Sequence, residues 1–415
     1  MRRLARHSND VLLALAALAL SVHAAFSVGQ LGDYPTDGGP PLDDLLHGRV
    51  LPFAHARPAM GDLSLFVRAP FAALAYLGDP TALSVYRWGV LPCVLALALL
   101  ALWLARLARA RGTSLVGQLA IVLLALCNPL VTSAIELGHP EELMTASLCV
   151  GALVAALQRR TLLAALLLGL ALACKQWSVV IVLPVILSLE RARLRALLGA
   201  LATAALVSLP PFVLAPASFV HSQLFLAGTI NRSSSVWSWL WPLAPDTTRH
   251  VLVEGTQVSV TGHRLPLLVA RLVHPLLIGV DLLLAGLVGA RRRLPLDRDR
   301  AFALAGLVLL LRCTLDTETM PYYHCALLLD LLAWDALAGE RLPLRALAGA
   351  AVAYALFDRL TPAVIGGASS LLYGACTLTL ALWLARACFG GRMQAGVANR
   401  PHAVLRTRRL SSTLR

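Results

Sequence analysis

The chain has few charged residues, a single lysine and no paired-cysteine motif. Only 14% of its 415 residues are charged, 58% are hydrophobic, and the mean hydropathy is +0.73. This composition excludes a soluble globular protein. The eight cysteines contain no CxxC pair, so neither a disulfide framework nor a zinc site is supported. Lys175 is the only lysine among 36 Lys and Arg residues, so arginine carries almost all of the positive charge.

The net charge of +14 does not indicate a nucleic-acid partner. The arginines stand in short clusters between apolar runs, and no recognisable nucleic-acid-binding module accompanies them. Such clusters are typical of cytoplasmic connectors in membrane proteins, where they also favour anionic lipid. We therefore expect the lipid bilayer as a partner and no nucleic acid.

Two kinds of polar connector alternate between the apolar runs. One kind is basic. The other carries Asp, Glu, His, Trp and Tyr, and it covers residues 33–47, 136–142, 218–264 and 316–324. The positive-inside rule puts the basic connectors in the cytoplasm and the others outside. We therefore predict a multi-pass plasma-membrane protein with both termini in the cytoplasm and its active site at the outer face.

The apolar runs predict an all-α polytopic membrane domain over residues 1–389. Because a helix needs about 20 residues to cross the hydrocarbon core, this domain holds about twelve transmembrane or re-entrant helices. The stretch 161–189 has basic residues on both flanks. We interpret it as a tight hairpin with Lys175 at its tip, which keeps both flanks on the cytoplasmic side.

Two loops and a tail complete the organisation. The predicted outer loops cover residues 29–85 and 217–264, and Leu63–Leu77 in the first is expected to form an amphipathic surface helix. The tail 390–415 is polar, basic and predicted to be disordered in the cytoplasm. The run 11–28 resembles a signal peptide as well as a first span. We expect it to stay uncleaved, because a multispanning chain needs a start-transfer helix.

Four carboxylates follow the first span within twelve residues, and they are Asp33, Asp37, Asp43 and Asp44. A glycosyl transfer needs one carboxylate that takes a proton from the acceptor hydroxyl. The alternative is a solvated turn with a helix cap at Asp43. For Asp43 or Asp44 singly we favour that alternative, whereas we expect the cluster as a whole to be functional.

Two further connectors combine acids with a base or a cation. His139 and Glu142 can share one side of a helix start, whereas Glu141 is interpreted as an ordinary partner of the helix dipole. Lys175, beside Gln176, suits a lipid-linked phosphate, and the alternative is a snorkelling side chain that anchors a helix end. The spacing of these groups specifies no divalent cation. We therefore predict no metal and no cofactor.

The later outer connectors add aromatic and cationic residues. His324 begins a span, where an imidazole facing lipid is unfavourable, so we expect it to face a cavity. The same argument applies to Arg271, just inside the span after the large loop. The tryptophans of that loop suit the membrane interface, and they are Trp237, Trp239 and Trp241.

Three of these features resemble the integral-membrane glycosyltransferases of the GT-C fold, and most closely glycosyltransferase family 87. That family contains the polyprenyl-phosphate-mannose-dependent mannosyltransferases of actinobacteria. The features are an Asp-bearing loop that ends in Leu45–Gly48, the Gly138–Pro140 segment followed by Gly169–Lys175, and Tyr322–His324 at the start of a late span.

The resemblance implies that a sugar, expected to be mannose, moves from a polyprenyl-phosphate donor to an envelope glycolipid or glycan acceptor with inversion. Asp37 is then expected to be the catalytic base, with Asp33 second. Lys175, Arg271 and His324 are expected to contact the donor phosphate. The complete set of residues expected to bind substrate is Lys175, Gln176, His139, Glu142, Arg271, His324, Trp237 and Trp239. The alternatives are a lipid or glycoconjugate transporter without catalysis, or a non-catalytic partner in envelope assembly. The lack of an internal repeat weighs against a transporter.

Overall fold

The computed structural model describes residues 2–56, 60–223, 229–230, 246–253, 256–264, 267–291, 294–316, 319–360 and 367–390. Helices α1 to α8 are Arg2–Phe26, Gly39–Leu46, Val50–His55, Asp62–Ala72, Ala82–Ala110, Leu115–Leu126, Pro129–Glu136 and Glu141–Leu157. Helices α9 to α17 are Thr161–Cys174, Val182–Ser188, Arg193–Leu214, Pro216–Gln223, Leu267–Arg291, Arg298–Leu315, Cys325–Ala338, Leu344–Tyr354 and Gly367–Phe389. Short 3-10 helices cover Ala73–Leu77, Gln176–Ile181 and Pro321–His324, and a π-helical turn covers Ala355–Leu360. The predicted helical membrane architecture is confirmed.

Six helical segments among the described residues are long and apolar enough to cross a membrane. They are Ser8–Phe26, Ala82–Ala110, Leu115–Glu136, Arg193–Leu214, Arg271–Arg291 and Leu371–Phe389. The protein is therefore a multi-pass membrane protein. The other predicted spans correspond to shorter or more charged helices, such as α8 and α9 with 17 and 14 residues, so the count of twelve is approximate.

The hairpin predicted over residues 161–189 is confirmed. Helix α9 ends at Cys174, Lys175 is extended, and the chain continues through a 3-10 helix into α10. Arg159 Nε, before the hairpin, lies 3.1 Å from Glu190 Oε2, after it, so the two flanks lie at the same end of the bundle. The tip therefore lies at the opposite end, which we name the Lys175 end.

Helices α14 and α15 connect the two ends through the protein core. All residues of 301–310 and of 325–337 are buried. By contrast, only 11% of the apolar window of α11 is buried, so its leucine-rich surface is available to lipid. The start of α14 lies beside the base of the hairpin, because Leu296 N–H donates to Leu187 O at 3.1 Å. We name this side the Arg298 end, after the first residue of α14.

The loops agree only in part with the sequence analysis. The predicted amphipathic helix in the first loop is present as α4 and the 3-10 helix that follows it. The large loop contains an unanticipated antiparallel sheet with strand order β1-β3-β2, formed by Thr229–Ile230, Asp246–Val253 and Thr256–Arg264. The predicted tryptophans Trp237, Trp239 and Trp241 lie outside the described residues, as does the tail beyond Gly390.

Candidate active site

Backbone contact holds the first loop against the turn that precedes α8. Asp33 N–H donates to Leu137 O at 3.0 Å. Gly32 and Gly138 lie at this contact with φ of +53° and +89°, and a Cβ on Gly32 would overlap the Leu137 backbone. A Cβ on Gly138 would lie 2.6 Å from a backbone nitrogen of the first loop. Glycine is therefore required on both sides, and the contact places Asp33 beside His139.

Asp33 and Asp37 share one face of the first loop. Asp37 N–H donates to Asp33 O at 3.0 Å and closes one helical turn, so the two side chains lie on the same side. The Asp33 side chain is 65% exposed, and its Oδ2 lies 3.3 Å from His139 Nε2. Asp37 is half-buried and interacts electrostatically with Lys175. Both carboxylates thus border the same group of charged side chains.

Glu141 is the centre of that group. It is the first residue of α8 and is completely buried. Its Oε1 lies 3.0 Å from Lys175 Nζ and 3.2 Å from His139 Nδ1, and its Oε2 lies 3.8 Å from Arg68 Nη1. A buried carboxylate needs such partners, because its desolvation is otherwise too costly. Glu141 thus joins α4, the turn before α8 and the hairpin tip.

Glu142 forms the second half of the arrangement. Trp177 Nε1 donates to its Oε2 at 2.8 Å, and its Oε1 lies 3.6 Å from Lys175 Nζ and 3.8 Å from Arg312 Nη2. The Arg312 guanidinium lies 3.9 Å from the ring centroid of Tyr323 and 4.7 Å from that of Trp177. Lys175 therefore bridges two carboxylates. We name the whole group the charge cluster, and its members are Arg68, His139, Glu141, Glu142, Lys175 and Arg312.

Two cations of the cluster reach the surface, whereas both carboxylates and Arg68 are buried. The side chains of His139 and Lys175 are each 12% exposed, whereas those of Glu141 and Glu142 are 0% and 2% exposed. Burial lowers the pKa of His139, but its hydrogen bonds to carboxylates outweigh burial and raise the pKa to about 9. Burial also lowers the pKa of Lys175, and the surrounding carboxylates outweigh it and raise that pKa above its usual range. Both side chains are therefore cations at neutral pH.

His324 lies in the core and not in the charge cluster. Its Nε2 lies 3.0 Å from Tyr373 Oη and its Nδ1 lies 3.1 Å from Pro321 O, so both ring nitrogens are engaged. The late-span motif instead reaches the cluster through Tyr322, which stacks on His139 with ring centroids 5.0 Å apart. The binding of donor phosphate by His324 stays a prediction.

Gln176 and Arg271 lie at the margin of the site. Gln176 Nε2 donates to Ser222 O at 3.3 Å and ties the hairpin tip to α12. Arg271 is exposed on α13, three residues before His274, whose Nε2 lies 3.8 Å from Asp316 Oδ1. Their roles in substrate binding also stay predictions.

Arg68, Glu141 and Arg312 are members of the cluster that the predicted set of site residues does not contain. Arg68 lies on the buried face of α4 with Leu65 and Ala72, and all three are completely buried. The sequence signal for Arg68 is an arginine at a position where the periodicity of an amphipathic helix predicts an apolar residue. Glu141 carries no comparable signal, because an acid in a first helical turn is common.

The family model of glycosyltransferase family 87 matches residues 63–314, which is more than half of the chain. The chain belongs to glycosyltransferase family 87. The protein is therefore a membrane glycosyltransferase, as the resemblance implies, and not a transporter. The matched residues include the whole charge cluster, whereas Asp33 and Asp37 precede them.

Among solved structures, the chain is similar to ArnT from Cupriavidus metallidurans bound to undecaprenyl phosphate. The sequence identity is 17% and the TM-score is 0.46, and the match covers 90% of this chain and 69% of that one. A comparison with curated proteins found no match. No group of three His, Cys, Asp or Glu side chains suited to a metal ion occurs in the described ranges, and metal independence stays a prediction.

Proposed function

We propose that this family 87 glycosyltransferase moves a sugar from a polyprenyl-phosphate donor to an envelope lipid or glycan acceptor at the outer face of the membrane. The resemblance to polyprenyl-phosphate-mannose-dependent enzymes makes mannose the expected sugar. Transfer takes place in a single displacement, so the configuration of the sugar carbon is inverted.

The observation that carries the proposal is that Lys175 is partly exposed while the two carboxylates that it contacts, Glu141 and Glu142, are buried. Lys175 Nζ has three N–H donors, of which two face Glu141 and Glu142. The remaining donor can contact a phosphate oxygen. Negative charge grows on the lipid phosphate as the sugar leaves, and a preorganised cation at that position stabilises the transition state.

We assign the base to Asp33 ahead of Asp37, which reverses the order expected from the sequence. The Asp33 carboxylate is 65% exposed, so an acceptor hydroxyl can reach it, and its contact with His139 holds it at the cluster. Asp37 is half-buried, and its charge acts on Lys175. An acceptor hydroxyl that approaches from the Asp33 side loses its proton to that carboxylate while the donor phosphate departs toward Lys175.

The test is transfer by the purified protein in nanodiscs, supplied with labelled polyprenyl-phosphate-mannose and envelope lipids. Parallel reactions with donors that carry other sugars identify the preferred sugar. Asp33→Asn keeps the side-chain size but removes the base, so transfer should fall by about 10²–10⁴. Asp37→Asn is the matched control and should lose less. The reverse ranking would make Asp37 the base, and full activity in both variants would exclude the first loop from catalysis.

The proposed outer location of the site is tested separately by cysteine labelling. Cysteines at positions 160 and 193 flank the hairpin and lie at its Arg159–Glu190 base. In a background without other reactive cysteines, both should react only with a reagent that reaches the cytoplasm. Reaction of either position from outside would place the Lys175 end in the cytoplasm.

A further inference from the structure

His139 stands between two carboxylates that come from different parts of the chain. Its Nε2 faces Asp33 Oδ2 at 3.3 Å, and its Nδ1 faces Glu141 Oε1 at 3.2 Å. Tyr322 stacks on the imidazole with an interplanar angle of 29°. The ring is thus held on its face by an aromatic side chain and at both nitrogens by acids.

These two contacts require an imidazole with two protons. An ionised carboxylate only accepts hydrogen bonds, so each ring nitrogen that faces one must be a donor. A neutral imidazole has one donor nitrogen and one nitrogen with a lone pair, and that lone pair would repel a carboxylate oxygen. Only the imidazolium form satisfies Asp33 and Glu141 together.

We propose that His139 is a clamp that is protonated at neutral pH and positions Asp33, and that Glu141 keeps this clamp protonated and in place. The proposal rests on the proposed function, in which Asp33 is the base. Since both N–H groups of His139 are taken by carboxylates, His139 gives the site positive charge but no hydrogen bond to substrate. His139 and Glu141 are therefore positioning residues.

The charges that face His139 come from three other segments. Asp33 belongs to the first loop, Glu141 to α8 and Lys175 to the hairpin tip, while Tyr322 is an uncharged phenol. Burial lowers the pKa of His139 most and Lys175 lowers it further, but the two carboxylates outweigh both and the pKa is about 9. Above that pH the clamp loses a proton, and Asp33 is released from its position.

The protonation of His139 can be measured without enzymatic activity. Histidine ring carbons are labelled with carbon-13, the protein is titrated in nanodiscs from below pH 6.5 to above pH 9, and the His139 signal is assigned by its loss in His139→Gln. The expected midpoint is about 9 in the wild type. Glu141→Gln should lower it by about one unit or more, because a carboxylate partner becomes an amide. Glu136→Gln, an exposed acid at the end of α7, is the matched control and should leave it unchanged.

A second variant protects the test against a folding defect in Glu141→Gln. Asp33 is 65% exposed, so Asp33→Asn is expected to fold normally. It removes the other carboxylate partner and should also lower the midpoint. A wild-type midpoint near 6.5, the ordinary value for histidine, would overturn the clamp.

The positioning role is tested by the pH dependence of kcat. The alkaline decline of kcat should lie near pH 9 in the wild type and move down with the His139 midpoint in Glu141→Gln. A midpoint that moves while the decline of kcat stays in place would overturn the positioning role and leave the proposed function intact. A wild type that transfers no sugar at any pH would overturn the proposed function, whereas the titration would still decide the protonation of the clamp.

Discussion

Charged side chains gather at both ends of α14, and the two groups are built differently. At the Arg298 end, Trp334 Nε1 donates to Asp299 Oδ1 at 3.0 Å, and Arg345 Nη1 lies 2.5 Å from Asp335 Oδ1. The other oxygen of Asp335 accepts a backbone N–H at the start of α16 at 3.1 Å. Asp299 and Asp335 each have a direct hydrogen-bond donor, and the group ties the ends of α14, α15 and α16 together.

At the Lys175 end, the charged side chains are more deeply buried, and more of their polar atoms lack a hydrogen-bond partner. Among the described residues, the buried atoms without a hydrogen-bond partner at this end include Nε and Nη2 of Arg68, Nε of Arg312, Oε2 of Glu141 and Oε1 of Glu142. At the Arg298 end they include Nε of Arg300 and Nε2 of Gln158, and neither of these belongs to a carboxylate. A buried polar group in this state costs about 1–3 kcal/mol. Unpaired buried polar groups are tolerated more often at functional sites than at sites that only join helices. This difference agrees with the proposal that the Lys175 end carries the chemistry, whereas the Arg298 end joins helices.

The largest contrast is expected between Lys175→Met and Arg345→Met. Lys175→Met removes the proposed phosphate contact, and losing one partner of a hydrogen-bonded charge pair typically costs about 2–5 kcal/mol. Donor affinity and turnover should therefore fall steeply, as measured on matched amounts of folded protein. Arg345→Met should lower thermal stability but leave turnover per folded molecule unchanged.

Two further variants sharpen this contrast. Lys175→Arg restores charge with a different shape, so it should rescue activity only in part. The double variant Lys175→Met with Glu142→Gln removes one buried negative charge together with the positive charge of Lys175, so it should recover folded yield without recovering transfer. Normal specific activity in Lys175→Met would remove the phosphate role.

The next largest expected effect is on stability. The stabilisation lost in a variant should depend on pH at the Lys175 end and not at the Arg298 end. Because folding raises the pKa of His139 from 6.5 to about 9, its contribution is fully present below pH 6.5 and is lost as the pH rises through 9. A shift of this size corresponds to about 3 kcal/mol. The difference in Tm between wild type and His139→Gln should therefore shrink across this range. The difference for Arg345→Met should persist, because arginine does not titrate there. A constant His139→Gln difference would contradict the raised pKa.

The smallest effects are expected from two glycines with positive φ. Gly138→Ala introduces strain of about 1–2 kcal/mol and pushes against the first loop, so kcat should fall more than donor affinity. Gly339→Ala, at the Arg298 end with φ of +75°, introduces similar strain, since its Cβ would lie 3.1 Å from Arg111 Cβ. It should lower Tm and leave kcat unchanged. Equal changes of kcat in both variants would show that the first loop tolerates displacement.

Much of the fold follows from local properties of the sequence. The basic flanks of residues 161–189 predicted the hairpin, and the contact between Arg159 and Glu190 confirms it. The predicted spans overlap observed helices, because a run of apolar residues bounded by polar connectors constrains a helix without reference to its neighbours. The family was also recognisable from motifs in three separated segments. The sheet in the large loop was missed, since a short sheet depends on pairing between strands.

Which residues form the charge cluster was determined by tertiary packing. Arg68, Glu141, Lys175 and Arg312 come from four separate elements, and only Lys175, the single lysine, stands out in its own segment. His324 is the opposite example. Its position at the start of a span predicted that it faces a cavity, and in the fold its Nε2 contacts Tyr373 Oη.

Hydropathy and charge sign, read along the chain against a bilayer, thus determined the membrane architecture, and motifs in three separated segments indicated the family. Which buried acid meets which cation, and whether Asp33 or Asp37 lies next to His139, was decided only by the tertiary structure. The physical reason is that the stability of a buried charge depends on partners a few ångströms away in space, which here come from distant parts of the sequence.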